Sequence, residues 1–425
     1  MIAAVSCAPG QRLPQGFAPR LAAVAAAGLA LRLVYVVVLT PHLVGHGDSK
    51  FFHETANLVG DRRGYIEPLA FALFGREQAT AQHPPLTSLL LGGASALGID
   101  SYVGQRVVMA FVGALTVATV GLLGRRLGGG RAGLLAAGLA AVYPTLIATD
   151  GAVMSEAPFG LFTAMALVSA FAVADGGGVR WGGALGAAIA LASLSRAEGL
   201  LLLPLLVIPA ARLAPARRGA LAALACLGCA ALVLPWSARN WIAFDRPVPI
   251  STNYGTLLAG ANCARTYAGR DIGGWAIGCV PAVRAANEAV GAARLRRRGL
   301  DYASEHAERL PTVAGARLLR SFSLLQPFRQ ADNAEARDPT VEKAGVLFFW
   351  LLAPPAIYGA LLLRRRRRGL VLLAAPLVVA AAVSVFGYGV PRFREPADVA
   401  VVALAALALG SLRPAARPAR PAQAR

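Results

Sequence analysis

Long apolar stretches separated by short basic connectors run through most of this chain. The first, Ala18 to Thr40, is long enough at about 1.5 Å per helical residue to cross a hydrocarbon core of about 30 Å. Hydrophobic residues make up 56% of the 425 residues and charged residues only 15%, whereas a soluble domain carries about 25% charged residues. The sequence therefore predicts an integral membrane protein and excludes most soluble folds.

Further apolar stretches predict an all-α polytopic fold, a bundle of about ten transmembrane helices. They lie at 103–124, 132–148, 157–174, 181–195, 199–212, 219–235, 345–363, 370–387 and 397–412. The segment 84–99 is ambiguous. Its Pro-Pro start and its Gly92–Gly93 pair favour a half-buried or interfacial helix, but a full span there stays open and would reverse the side of Arg125.

The basic residues indicate the orientation. A net charge of +20 suggests nucleic acid at first sight, but basic connectors of a polytopic protein mark its cytoplasmic side, so no nucleic-acid partner is expected. The arginine-containing connectors are 125–131, Arg180, 212–218, 364–368 and 413–425. All of them are cytoplasmic if the N-terminus is cytoplasmic and the chain crosses once between His83 and Arg125.

This topology predicts one transmembrane domain over residues 1–412, with external loops at 42–83 and 236–344, and a basic cytoplasmic tail at 413–425. Nearly all of the 22 acidic residues then fall on the external side. Acidic residues do not set topology, so their segregation indicates that chemistry takes place on the outer face of a cytoplasmic (inner) membrane. Neither inverted repeats nor charges within several spans, which would favour a transporter, are evident.

Two external carboxylates are candidate catalytic groups. Asp48 precedes an amphipathic segment on the membrane surface, where it is either a helix N-cap or a general base that meets a lipid-borne substrate. Glu156 either begins the next span, where an acid suits the helix dipole, or takes part in function. A third acid, Glu198, follows Arg196 between two short spans, as a structural ion pair or the wall of a cavity.

Three external arginines, Arg239, Arg392 and Arg394, are not explained by orientation. A guanidinium binds a phosphate through two parallel hydrogen bonds, so these residues are candidate phosphate ligands; the alternative is snorkelling to lipid head groups. His83 is a candidate substrate-binding residue. With His53 and either Glu54 or Glu67 it could also form a metal site, but no metal-ligand spacing is present, so a divalent metal stays open and no other cofactor is expected.

Two of the five cysteines, Cys263 and Cys279, fall in the second external loop, an oxidising location. They are predicted to form a disulfide that restrains a loop over the substrate. Cys7, Cys226 and Cys229 lie in the cytoplasmic tail or a span, where thiols fill space.

Several stretches, in order along residues 18–412, resemble the GT-C superfamily of membrane glycosyltransferases that use polyprenyl-phosphate sugars. The resemblance is to the bacterial branch of protein O-mannosyltransferases and the lipid A aminoarabinose transferase. The matching stretches are GDSKFFHETANL, HPPL, YPTLIATDGAVMSEAPF, LSRAEGLLLLP, PWSARNW, ISTNYG and PRFREP. The first departs from many relatives, which carry Tyr-Tyr where this chain has Phe51 and Phe52, and Lys50 is expected to lower the basicity of Asp48.

The resemblance implies an inverting hexosyl- or pentosyltransferase. It implies Asp48 as catalytic base or its organiser, Glu156 as the second carboxylate, and the external arginines at the donor phosphate. Tyr254 lies in the matching ISTNYG stretch and Arg196 in LSRAEG, and both are candidate substrate contacts. The donor would be a polyprenyl-phosphate-linked sugar within the membrane lipid, and the acceptor a glycan, lipid or protein. A transporter or flippase of a lipid-linked sugar is the alternative.

Overall fold

The computed structural model describes residues 16–214, 217–364 and 367–412, and within these ranges the regular structure is helical apart from one isolated bridge between Ile66 and Ala79. The predicted tail at 413–425 and Cys7 lie outside the described residues. In chain order the helices are α1 (Phe17–Leu33), α2 (Asp48–Gly60), α3 (Pro68–Phe74), α4 (Leu86–Ser95), α5 (Tyr102–Val142), α6 (Pro144–Asp150), α7 (Glu156–Ala174), α8 (Arg180–Ser195), α9 (Leu202–Arg212), α10 (Arg218–Phe244), α11 (Tyr254–Ala261), α12 (Ala264–Tyr267), α13 (Glu288–Glu305), α14 (Leu310–Ser321), α15 (Pro327–Asp332), α16 (Pro339–Leu363), α17 (Arg367–Phe386) and α18 (Glu395–Ser411).

Each predicted span coincides with a helix or a helical arm. Within the described residues, six segments are long and apolar enough to cross a membrane: Phe17–Leu39, Tyr102–Val142, Glu156–Ala174, Arg218–Phe244, Pro339–Leu363 and Gly369–Phe386. The remaining predicted spans correspond to the shorter helices α8, α9 and α18. The expected all-α polytopic membrane fold is confirmed.

Helix α5 is two arms joined at a kink. Gly128 and Gly129 have non-helical backbone angles, and Gly129 has a φ of 81°, a conformation that glycine adopts without the steric cost of a side chain. The two predicted spans at 103–124 and 132–148 therefore follow one another with a sharp reversal rather than a loop.

The ambiguous segment 84–99 forms the short helix α4. Its ten residues extend about 15 Å, which is about half of a hydrocarbon core. The interfacial interpretation is favoured over a full span.

The bundle is closed around α18, which packs against α5, α7 and α16. Every residue from Glu395 to Ala406 is buried, and the small side chains of this helix allow its neighbours to approach closely. A second apolar cluster, on the α2 side of the bundle, contains Phe51, Phe52, Met109 and Met154. This cluster carries the start of α2 and therefore fixes where Asp48 lies.

Paired charged side chains are buried within the bundle. Arg32 in α1 is fully buried and donates from Nε to Asp150 Oδ2 at 2.7 Å. Arg394, also buried, donates to Asp398 in α18 at 2.9 Å. Charges at such depth are tolerated when they are paired. The Arg32–Asp150 pair joins α1 to α6, whereas Arg394 and Asp398 lie four residues apart at the start of α18.

Candidate functional site

Arg392 stands at the centre of a group of acidic side chains, in the short turn between α17 and α18. Its guanidinium lies 3.1 Å from Asp48 Oδ2, 3.0 Å from Glu335 Oε2 and 3.8 Å from Glu156 Oε1. It also donates to the Tyr388 hydroxyl at 3.0 Å. Three carboxylates from separate parts of the chain thus share one cation.

Asp48 is placed by the start of α2. The N-cap residue is Gly47, with a φ of 55°, and Asp48 is the first residue of the helix, so the interpretation of Asp48 as an N-cap is wrong. Its carboxylate instead faces Arg392 and lies 3.5 Å from His83 Nε2. The rings of Phe51 and Phe52 pack on His83 with centroids 4.8 and 4.9 Å away, which fixes the imidazole beside Asp48.

The electrostatics of the group keep Asp48 ionised. Burial raises the pKa of its carboxyl, but the charges of His83 and Arg392 outweigh burial and hold that pKa below its ordinary value. Burial lowers the pKa of His83 itself below 6.5, so at neutral pH the balancing charge comes mainly from Arg392. Lys50, expected to act on Asp48, points to Glu54 instead, 3.5 Å away.

Glu335 has the opposite tendency. Burial, followed by the neighbouring Asp48 charge, raises the pKa of its carboxyl above 4.5. Its side chain also accepts a hydrogen bond from the backbone N–H of Asp48. Of the carboxylates around Arg392, Glu335 therefore takes up a proton more readily than Asp48 does.

Glu156 and Arg196 form the inner wall of the group. Glu156 is the first residue of α7 and is buried, and its Oε1 accepts from Arg196 at 2.7 Å. Arg196 also pairs with Glu198, which is the ion pair that the sequence offers as one of the two interpretations of Glu198. Arg337 Nη2 lies 4.0 Å from Glu156 Oε2 and links this wall to the buried Glu342 and Glu395.

Three of the predicted ligands do not join the group. Arg394 is buried against Asp398 and Ser323, so Arg392 and Arg394 do not act as a pair. Arg239 donates to the carbonyls of Tyr65 and Thr80, which orders the first external loop. Tyr254 begins α11 with a largely exposed side chain.

The structure adds residues that the sequence did not single out. Glu335 and Arg337 come from the connection between α15 and α16, and Tyr388 from the connection between α17 and α18. The available signal was the Arg-Asp sequence at 337–338 before a long apolar stretch, which predicts a helix start, but nothing in it indicates a contact with Asp48.

The described residues contain no group of three or more His, Cys, Asp or Glu side chains arranged to hold a metal ion. His53 lies 3.0 Å from Gln105 and Glu67 caps α3, so these two candidates serve other contacts. The carboxylates nearest to Asp48 are already directed at a guanidinium, an arrangement that does not fit a metal ligand set.

Cys263 and Cys279 are joined by a disulfide. The disulfide closes the segment that follows α11, and α11 packs against α13. Both helices belong to residues 236–344, the predicted second external loop.

The chain is similar to known proteins in two ways, through a sequence family and through solved structures. A family model described as dolichyl-phosphate-mannose-protein mannosyltransferase matches residues 82–241, a range that contains His83, Glu156 and Arg196 but neither Asp48 nor Arg392. The comparison with curated proteins finds no match.

Among solved structures, the archaeal oligosaccharyltransferase AglB from Archaeoglobus fulgidus, in complex with an inhibitory peptide and a dolichol-phosphate, is 17% identical with a TM-score of 0.59. The alignment covers 93% of this chain and 50% of that chain, so this chain spans about half the length of the enzyme. The apo form of the same oligosaccharyltransferase gives 16% identity and a TM-score of 0.56, with 93% and 50% coverage.

The structure of ArnT from Cupriavidus metallidurans bound to undecaprenyl phosphate is 15% identical over 94% of this chain and 77% of that chain. Its TM-score of 0.46 is too low to bear on the fold. The chain is thus a multi-pass membrane protein that shares the fold of the oligosaccharyltransferase, and its residues 82–241 are similar to the mannosyltransferase family.

Proposed function

We propose that this protein is an inverting glycosyltransferase that moves a sugar from a polyprenyl-phosphate donor to a hydroxyl of a cell-envelope acceptor. The observation that carries the proposal is the contact between Asp48 and Arg392, 3.1 Å apart. One group can take a proton and the other can hold a phosphate, and both belong to loops that follow transmembrane helices. The matched mannosyltransferase family and the dolichol-phosphate bound by AglB support the same donor class.

Arg392 is the donor-phosphate ligand in this proposal. Its Nε is buried without a hydrogen-bond partner, so the guanidinium retains an unused donor beside the carboxylates. A phosphate oxygen at this position would accept a hydrogen bond from Nε of Arg392. It would also displace the Glu335 carboxylate from the guanidinium. Arg196 would add positive potential from the other side of Glu156.

The reaction needs charge stabilisation at the leaving group. The acceptor oxygen attacks the anomeric carbon, the bond from that carbon to the phosphate oxygen breaks, and polyprenyl phosphate leaves with the electron pair. A developing phosphate monoester is stabilised by positioned cations more than by protonation. The acceptor proton passes to Asp48, which is ionised and therefore able to accept it.

Donor binding would also activate Asp48. In the unliganded site, Arg392 lowers the pKa of Asp48. A bound phosphate adds negative charge next to the same guanidinium, and this raises the basicity of Asp48 at the moment when a base is required. Glu156, held by Arg196, would position the acceptor.

We place this site on the outer face of a cytoplasmic membrane, with the N-terminus inside. The support is the distribution of arginine: connectors such as 125–131 and 364–368 are basic, and basic connectors remain cytoplasmic. The site lies at the opposite ends of the helices from those connectors.

The rival function is transport of a lipid-linked sugar, and one experiment separates the two. Purified protein in detergent, given a polyprenyl-phosphate sugar and a soluble acceptor, is expected to form a glycosidic bond, which mass spectrometry of the acceptor detects. Detergent micelles do not separate two compartments, so transport cannot produce a signal in this assay. Absence of any glycosylated acceptor across a panel of hexose and pentose donors, with flipping of the same donors in vesicles, would establish the rival.

A further inference from the structure

A groove lies between the start of α1 and the second arm of α5, at the far end of the bundle from Asp48. It has a volume of about 670 Å³ and is lined by Phe17, Arg20, Gly130, Arg131, Leu134, Leu135, Gly138 and Leu139. Apolar side chains form most of its walls, and two arginines, Arg20 and Arg131, lie at its opening. No step of the proposed transfer reaction uses it.

The two arginines at the mouth are exposed and share no ion pair with any acid of the chain. Every Asp and Glu of the sequence falls within the described residues, and none of the ion pairs among those residues includes Arg20 or Arg131. Asp175, which follows α7, pairs with Arg126 at 3.1 Å. The groove mouth therefore carries uncompensated positive charge.

The lining segment of α5 is nearly as long as one leaflet of the hydrocarbon core is thick. From Arg131 to Leu139 the helix rises about 12 Å, against about 15 Å for half of the hydrocarbon core. Gly138 leaves its wall open, because a Cβ built there meets nothing within 4 Å. A charged mouth above an apolar channel of this depth matches a lipid with an anionic head group.

The groove opens to the leaflet opposite the candidate site. The first arm of α5 begins at Tyr102, whose hydroxyl lies 2.6 Å from Ser49 Oγ beside Asp48. That arm then crosses the bundle to the kink at Gly128–Gly129, and the groove starts directly after the kink. A full crossing thus separates the groove from Arg392, so the two sites cannot share one head group.

We propose that this groove binds an anionic glycerophospholipid, with its phosphate between Arg20 and Arg131 and an acyl chain along Leu134 and Gly138. Each basic residue near a membrane surface contributes about 1 kcal/mol of attraction to anionic lipid, which is about fivefold in affinity. The bound lipid fills the space between α1 and the second arm of α5. This inference stands independently of the glycosyltransferase proposal.

The test titrates full-length protein in neutral detergent with phosphatidylglycerol or phosphatidylcholine and counts bound lipid by native mass spectrometry. Wild-type protein is expected to prefer phosphatidylglycerol. The double variant Arg20→Gln with Arg131→Gln is expected to lose about thirtyfold in affinity for it. Gly138→Leu, which fills the channel from an open position, is expected to lose both lipids.

Matched controls keep the result specific. Arg180→Gln removes an exposed arginine of α8 outside the groove, and Gly219→Leu fills an open position on α10; both should bind as wild type does. Three results would overturn the proposal: equal affinity of wild type for the two lipids, unchanged binding by the double variant, or a polyprenyl phosphate that binds more tightly than phosphatidylglycerol and is lost in Gly138→Leu.

Discussion

In the proposed reaction Arg392 links the donor phosphate to the base, and its planar guanidinium is the property that matters. Lysine would keep the charge but present a point cation in place of a fork of parallel donors. We therefore expect Arg392→Lys to weaken binding of a polyprenyl phosphate by about tenfold, the effect of losing one charge-assisted hydrogen bond. Isothermal titration in detergent measures this, and wild-type affinity in the variant would remove Arg392 from the phosphate site.

Glu335 is predicted to make donor binding depend on pH. The pKa of its carboxyl is raised above 4.5 by burial, so as the pH falls through this raised value Glu335 becomes neutral and releases its hold on Arg392. The proton on Glu335 stabilises the folded protein fully below pH 4.5. This stabilisation is lost as the pH rises through the raised pKa that Glu335 has in the folded protein. The Asp48 carboxyl, with its lowered pKa, stays ionised in this window.

The measurement is the affinity for a polyprenyl-phosphate sugar as the pH falls from about 7 to about 5, since the phosphodiester itself keeps one charge there. Affinity is expected to rise in wild type. Glu335→Gln should bind tightly at all these pH values, because its amide never carries the competing charge. A variant that keeps the wild-type slope would assign the pH dependence to another group.

The packing of α2 on α4 positions Asp48, and a pair of adjacent glycines tests this. At Gly92 an added Cβ would lie 2.6 Å from Val59 Cγ1 and 3.1 Å from the Ala56 carbonyl oxygen, whereas at Gly93 it would meet nothing within 4 Å. Gly92→Ala should displace α2 and lower both thermal stability and transfer activity. Gly93→Ala should leave activity unchanged and raise helix stability by up to about 1 kcal/mol.

Thermal unfolding in detergent and the transfer rate together check the comparison. Equal behaviour of the two alanine variants would mean that the contact between α2 and α4 does not control the position of Asp48.

The helices were largely predictable, because apolar length is a local property that each stretch of sequence carries by itself. The stretch at 397–412, for example, predicts α18 without reference to any other residue. The kink of α5 at Gly128–Gly129 was less visible, since glycines in a connector and glycines in a sharp reversal give the same sequence signal. Helix α4 was ambiguous because a mostly apolar stretch of about ten residues suits an interfacial helix and part of a span equally well.

The site was predictable only in part, because it assembles from residues far apart in the chain. Asp48, Glu156, His83, Arg196 and Arg392 were all predicted and lie together. Arg394 was grouped with Arg392 from its position two residues away, but successive residues of this turn point to different surroundings. Glu335 gave no local signal, since its role depends on a contact with a residue 287 positions away.

Arg337 connects the loop before α16 to helices from three parts of the bundle. It contacts Glu156 of α7, Glu342 of α16 and Glu395 of α18. Removing one partner of a buried ion network leaves the others uncompensated, at a cost of about 3–5 kcal/mol. We expect Arg337→Gln to lower the thermal unfolding temperature sharply and to reduce the yield of monodisperse protein.

Arg329→Gln is the matched control, because Arg329 pairs with Asp271 at 2.8 Å while 39% of its side chain is exposed. An exposed ion pair contributes at most about 1 kcal/mol, so this variant should unfold close to the wild-type temperature. Similar losses in both variants would show that the central network does not hold the bundle together.

The proposed transfer needs Asp48 to take the acceptor proton, and the direct measurement is the rate of glycosidic bond formation by matched asparagine variants. Asp48→Asn is nearly isosteric but cannot take the proton, whereas Asp61→Asn changes an exposed acid at the other end of α2. With equal amounts of folded protein in detergent, we expect no detectable transfer by Asp48→Asn and a wild-type rate by Asp61→Asn. Transfer by Asp48→Asn at the wild-type rate would rule out Asp48 as the base.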